Sequence, residues 1–127
     1  MKRTTQLVIT SLLSIVLLSF HLTQDAIREV PGSWPAKQGN FVVIVILFVY
    51  LCGTVLLTGR RLGYIITLVG GLFAVGMPVL HLTAARFGLV DRPWQGFFMW
   101  TLIALGVSGL FGIVLSVLEL WSFKRGG

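Results

Sequence analysis

Acidic side chains are almost missing from this sequence: Asp25, Glu29, Asp91 and Glu119 are the only four in 127 residues. Cysteine is rarer still, with Cys52 alone inside an apolar run. A single thiol excludes a disulfide framework, a dithiol redox centre and a multi-cysteine zinc site. With two histidines and four carboxylates, no nucleophile, base and orienting group can be assembled from neighbouring positions. No phosphate loop or metal-spaced His/Cys cluster occurs either. The expectation is a non-enzymatic protein.

Charge as a whole is also low. Charged residues make up 11% of the chain against 56% hydrophobic, and the mean hydropathy is +0.94. A soluble domain carries about a quarter charged residues, so the apolar content exceeds what one globular core would hold. Four runs are long enough to cross a hydrocarbon core as helices: 6–22, 40–58, 63–83 and 96–121. They are continuous, without the period-two alternation of a barrel strand. The reading is an all-α, four-helix transmembrane bundle forming a single membrane domain over residues 1–127. Its two antiparallel hairpins are joined by the short "GRRLG" of residues 59–63.

The net charge of +6 does not point to nucleic acid, because the ten basic residues flank the apolar runs and form no patch. Lys2, Arg3, Arg60, Arg61, Lys124 and Arg125 fall at one end of the expected bundle. Arg28, Lys37, Arg86 and Arg92 fall at the other, together with Asp25, Glu29 and Asp91. The excess of basic residues puts both termini on the cytoplasmic side of a bacterial inner membrane. Lys2-Arg3 and the following apolar run have the n- and h-regions of a secretory signal. No small-x-small cleavage site follows Phe20, so an uncleaved first helix is expected.

The tripeptide His-Leu-Thr occurs twice, at 21–23 and 81–83, and contains both histidines. Each copy closes an apolar run. The loops that follow, "QDAIREVPGSWPAKQG" and "AARFGLVDRPWQG", both contain Trp and end in Gln-Gly. This is the pattern of a duplicated hairpin whose copies run parallel about an axis along the membrane normal. Convergence of two interfacial helix ends on His, Thr and Trp accounts for it equally.

Small residues mark the faces where helices can approach in lipid. They are Ala104, Ser108 and Gly112 on the fourth run, with Gly109 beside them, and Gly71 and Ala74 on the third. Pro78 lacks an N–H and frees the carbonyl of Ala74 one turn before His81. Trp34 and Trp94 at one end, and Tyr64 and Trp121 at the other, read as interfacial anchors.

His21 and His81, with Met77 one turn before His81, are the candidate ligands. Imidazole with thioether suits copper, two facing imidazoles suit haem iron, and a single one suits chlorin magnesium. Asp25 and Arg28 share a helical face with His21 and would orient its ring. The bland alternative is a pair of interfacial histidines and a solvated helix end. Glu119 lies near Trp121 and Lys124, where it can reach water. Small multidrug exporters are similar in size and helix number, but their first-helix glutamate has no counterpart here. Lipid-modifying glutathione enzymes share the size and helix number but need polar residues within their helices.

The pattern H-L-T-x-D-x-I-R of residues 21–28, the "GRRLGYI" turn and the "PVLH" of residues 78–81 resemble small bacterial four-helix integral membrane proteins that have no assigned activity. That resemblance covers nearly the whole chain and implies only the bundle. Three functions remain open. The preferred one is an accessory or scaffold subunit that packs in the lipid bilayer against another membrane protein or a second copy. The others are a metal or tetrapyrrole binder using His21 and His81, and a minimal transporter of two hairpin repeats.

Overall fold

A computed structural model describes residues 2–27, 36–88 and 96–125. The chain forms four helices: α1 Arg3–Ile27, α2 Ala36–Val55, α3 Arg61–Arg86 and α4 Gly96–Arg125. No strand occurs among the described residues. The all-α, four-helix bundle expected from the sequence is what the chain adopts.

The helices associate along seams spaced three and four residues apart. On α1 the buried positions are Leu7, Ser11, Ser14, Leu18 and His21, one stripe of an α-helix. On α3 they are Tyr64, Thr67, Gly70, Gly71 and Ala74. On α4 they run from Phe98 through Leu105 and Gly109 to Ser116. The large aliphatic and aromatic side chains between them, such as Leu13, Phe20, Phe73 and Phe111, face outward. In water that distribution would be inverted; in lipid it is stable, because lipid tails solvate Leu and Phe as well as a protein core does.

α4 organises the bundle. Its contact with α3 is the most extensive and its contact with α1 is second, whereas α2 touches α1 and α3 more sparingly. The α3–α4 contact is close because two glycines meet. A Cβ on Gly109 would lie 2.8 Å from Cβ of Ala74 and 2.9 Å from the Gly71 carbonyl oxygen, and one on Gly71 would lie 3.0 Å from the Gly109 carbonyl oxygen. Gly112 has open space where its Cβ would stand. The contact therefore turns on Gly109, one turn before the expected Gly112. Ala104 is half-buried, and Ser108 makes a hydrogen bond to α1 in addition to packing.

α1, α3 and α4 are each long and apolar enough to cross a membrane. The expected second span, 40–58, stops at Val55, and its described apolar stretch is the 15 residues Phe41–Val55. The chain turns there because Gly59 adopts φ +79°. The Arg60 N–H donates to the Leu57 carbonyl at 3.0 Å, closing a turn that favours glycine at this position. Gly63 completes the joint, since any side chain there would collide with the Leu57 carbonyl. The 20 residues of α2 give about 30 Å of helix, enough to return the chain between the two ends. α3 continues unbroken through Pro78 and past Thr83 to Arg86, and Gly88 at φ +67° ends it.

Of the expected anchors, Trp121 is exposed with the Arg125 guanidinium 4.3 Å from its ring centre. Tyr64 is instead buried, with its ring centre 6.1 Å from that of Phe123. Trp34 and Trp94 lie outside the described residues.

Candidate functional site

α1 and α3 run in the same direction, so the two His-Leu-Thr copies reach the same end of the bundle. His21 is six residues from the end of α1 and His81 five from the end of α3, about 8–9 Å at 1.5 Å per residue. Their rings meet edge to face, with centroids 4.7 Å apart and planes at 80°. Phe98, from the first turn of α4, packs on both: 4.8 Å from His21 and 5.5 Å from His81. Three helices thus contribute one ring each. His21 is completely buried and His81 partly so.

The His81 ring is oriented by its own helix. Nδ1 lies 3.0 Å from the Met77 carbonyl oxygen. A carbonyl only accepts, so Nδ1 carries a proton, and in the neutral ring Nε2 is the acceptor nitrogen. Metal-bound histidines are commonly held in this way, one nitrogen donating to a backbone carbonyl while the other ligates.

Met77 was expected as a thioether ligand. In the structure its side chain packs against the Leu18, Ala74 and Leu105 cluster, and its carbonyl is the atom that contacts His81. The helical face joining His21 to Asp25 and Arg28 cannot be followed, because the Asp25 side chain and Arg28 lie outside the described residues.

Two groups beside the rings had not been singled out. The Thr101 hydroxyl donates to the Phe98 carbonyl at 2.8 Å and stands 3.4 Å from Oε1 of Gln24, linking α4 to α1 just beyond the histidines. Gln24 is three residues after His21, a signal the sequence did contain. Phe98 had none, since an aromatic residue near the start of a membrane helix is commonplace.

Below the rings the interior is apolar and tightly filled by Leu18, Ala74, Leu102 and Leu105, each at most 2% exposed. Deeper still comes a layer of hydroxyls. Ser14 and Ser108 hydrogen-bond at 2.9 Å, and Thr67 and Ser116 at 3.0 Å. Ser11 and Tyr50 place further buried hydroxyls in the same region. The apolar helices therefore enclose a set of hydroxyl groups and, among the described residues that are buried, no Asp, Glu, Lys or Arg side chain. A cleft of about 10 Å³, lined by Thr4, Thr54, Thr58, Tyr64 and Thr67 among others, lies at the opposite end from the histidines. It has room for about one water.

The ring separation discriminates among ligands. In neighbouring positions on one ion, with each nitrogen about 2.1 Å away, two imidazole centroids lie about 4.5–5.2 Å apart, and the separation here is 4.7 Å. That suits two neighbouring positions of a tetrahedral or square-planar site. Haem iron held between two histidines needs them opposed, with centroids about 6.4 Å apart and a macrocycle between the rings. The observed contact leaves no gap for a macrocycle. Among the described residues no group of three or more His, Cys, Asp and Glu gathers, so the side chains brought together here are two imidazoles and the Phe98 ring. Compared with family models, curated proteins and solved structures, the chain matches none of them, and its reading rests on its own residues.

Proposed function

We propose that this chain is a small, non-enzymatic membrane protein that binds a borderline transition-metal ion between His21 and His81. The supporting observation is the 4.7 Å contact between the imidazoles of the two His-Leu-Thr copies. Imidazole nitrogen favours copper, zinc and nickel, and the Irving–Williams order puts Cu(II) first. On the charge distribution, both termini are cytoplasmic and the site faces the outer side of a bacterial inner membrane.

The test is elemental analysis and an absorption spectrum of protein extracted from its own membrane in mild detergent, beside a His21→Ala/His81→Ala double variant. Cu(II) titration follows, read by paramagnetic resonance. A stoichiometric ion with two nitrogen couplings, lost in the double variant, is expected. Each single variant should bind about ten- to a hundredfold more weakly. Equal, weak binding by all variants would reject the site.

A second reading, the accessory or scaffold subunit, draws support from α2. From Phe41 on, where its side chains are described, that helix buries Tyr50, Gly53 and Thr54 and turns Phe41, Ile44, Phe48, Leu51 and Val55 outward. Of the small-residue faces, Gly71, Ala74, Gly109 and Ser108 are occupied by the chain's own helices, whereas Gly112 has open space at its Cβ position. Crosslinking in cells through α2 positions would capture a partner helix or a second copy; lipid alone would leave only monomer. The transporter reading needs a polar chamber, and among the described residues the cleft at the terminal end has room for about one water.

A further inference from the structure

The polar groups of the interior fall into two layers that do not touch. At one end are His21, His81, Gln24 and Thr101. Toward the other end lie Ser11, Ser14, Tyr50, Thr54, Thr67, Ser108 and Ser116. Leu18, Ala74, Leu102 and Leu105 separate them, with Leu17, Leu47 and Met77 packed around that cluster. His21 is one helical turn from Leu18, and Phe98 one turn from Leu102. Along α1 the histidine lies about 27 Å from the helix start at Arg3, by the helical rise.

We propose that the histidine site exchanges its ion with one face of the membrane only, the face on which α1 and α3 end, and is sealed from the other by the Leu18–Ala74–Leu102–Leu105 plug. This rests on reading His21 and His81 as a ligand pair. A hydrated cation reaching the site from the terminal face would have to shed water and cross about 10 Å of close-packed apolar side chains, where among the described residues no side-chain oxygen or nitrogen replaces the lost water. From the other face the path is short. His21 lies six residues before the end of α1, and His81, which is partly exposed, five before the end of α3. The site is thus a receptor for an ion on one side of the bilayer and no stage in a crossing.

Full-length protein with a metal-silent C-terminal tag, reconstituted at about one chain per sealed phosphatidylcholine vesicle, tests this. Vesicles with the tag outside are captured on an affinity resin, and those with the tag inside flow through. Cu(II) is then added to the medium. Flow-through vesicles should give the two-nitrogen signal at once; captured vesicles should give it only after permeabilisation. Signal in intact captured vesicles at the same rate would overturn the seal. Signal in neither population after permeabilisation would remove the ligand pair itself, a distinct failure. Leu105→Ser should shorten the protection of captured vesicles by about tenfold or more, since a hydroxyl in the plug eases cation dehydration. Undiminished protection in a folded Leu105→Ser protein would overturn the assignment of the barrier to this layer.

Discussion

The two hairpins each carry a His-Leu-Thr near the end of their first helix and are held together differently. Between α3 and α4, Gly71 and Gly109 let the backbones approach until each glycine faces the other's carbonyl. Between α1 and α2 no such glycine contact forms among the described residues. α1 takes α4 as its main neighbour, through Ser14 and Ser108. α2 reaches the core chiefly through Tyr50, whose ring lies where a Cβ on Gly70 would stand. In lipid, apolar area gives little drive for helix association, so close van der Waals approach and interhelical hydrogen bonds decide which helices are held firmly. By that measure α1, α3 and α4 form the rigid unit and α2 is an attached fourth. Both histidines and Phe98 belong to the rigid unit, which is where a site with fixed geometry should be.

The strongest break in this comparison is at the glycines. Gly109→Ala places a methyl against Ala74 and the Gly71 carbonyl, and about 2 kcal/mol of bundle stability should be lost by overpacking. The same change at Gly112 meets open space and should stabilise by up to about 1 kcal/mol through helix propensity. Reversible unfolding in mixed micelles measures both, and a smaller loss at 109 than at 112 would reject the assignment of the contact.

Smaller effects sharpen it further. A double-mutant cycle of Ser14→Ala and Ser108→Ala should give a coupling of about 0.6 kcal/mol, the usual worth of such a bond in a membrane. Tyr50→Phe removes a buried hydroxyl that lies near the Ser11 and Ser14 hydroxyls without a well-aligned hydrogen bond to either. It should leave stability unchanged or raise it by up to about 1 kcal/mol. A clear loss would show that the hydroxyl has a bound partner. Least of all should come from Phe48→Ala on the outward face of α2, within about 0.5 kcal/mol. A large loss there would mean that another protein covers α2 in the micelle.

Much of the architecture was legible in the residues. The four apolar runs, the glycine-closed turn after α2 and the position of each His-Leu-Thr near a helix end follow from local composition and from glycine's access to positive φ. The choice of Gly109 over Gly112 was not legible, because both lie on small-residue rows of α4 and only the placement of α3 distinguishes them. Nor was Met77's part, since a sequence motif does not say whether a side chain or a carbonyl will face the histidine.

Local chemistry along the chain determined that this is a helical protein for a lipid environment, with two histidines near the ends of helices that run the same way. Tertiary structure decided that those histidines touch, that Phe98 backs them and that a layer of leucines lies beneath them. The physical reason is separation along the chain: the His-Leu-Thr copies at 21 and 81 are sixty residues apart, and nothing local ties Phe98 to either. They meet because α4 packs against both α1 and α3, where small side chains and paired hydroxyls permit close approach in lipid.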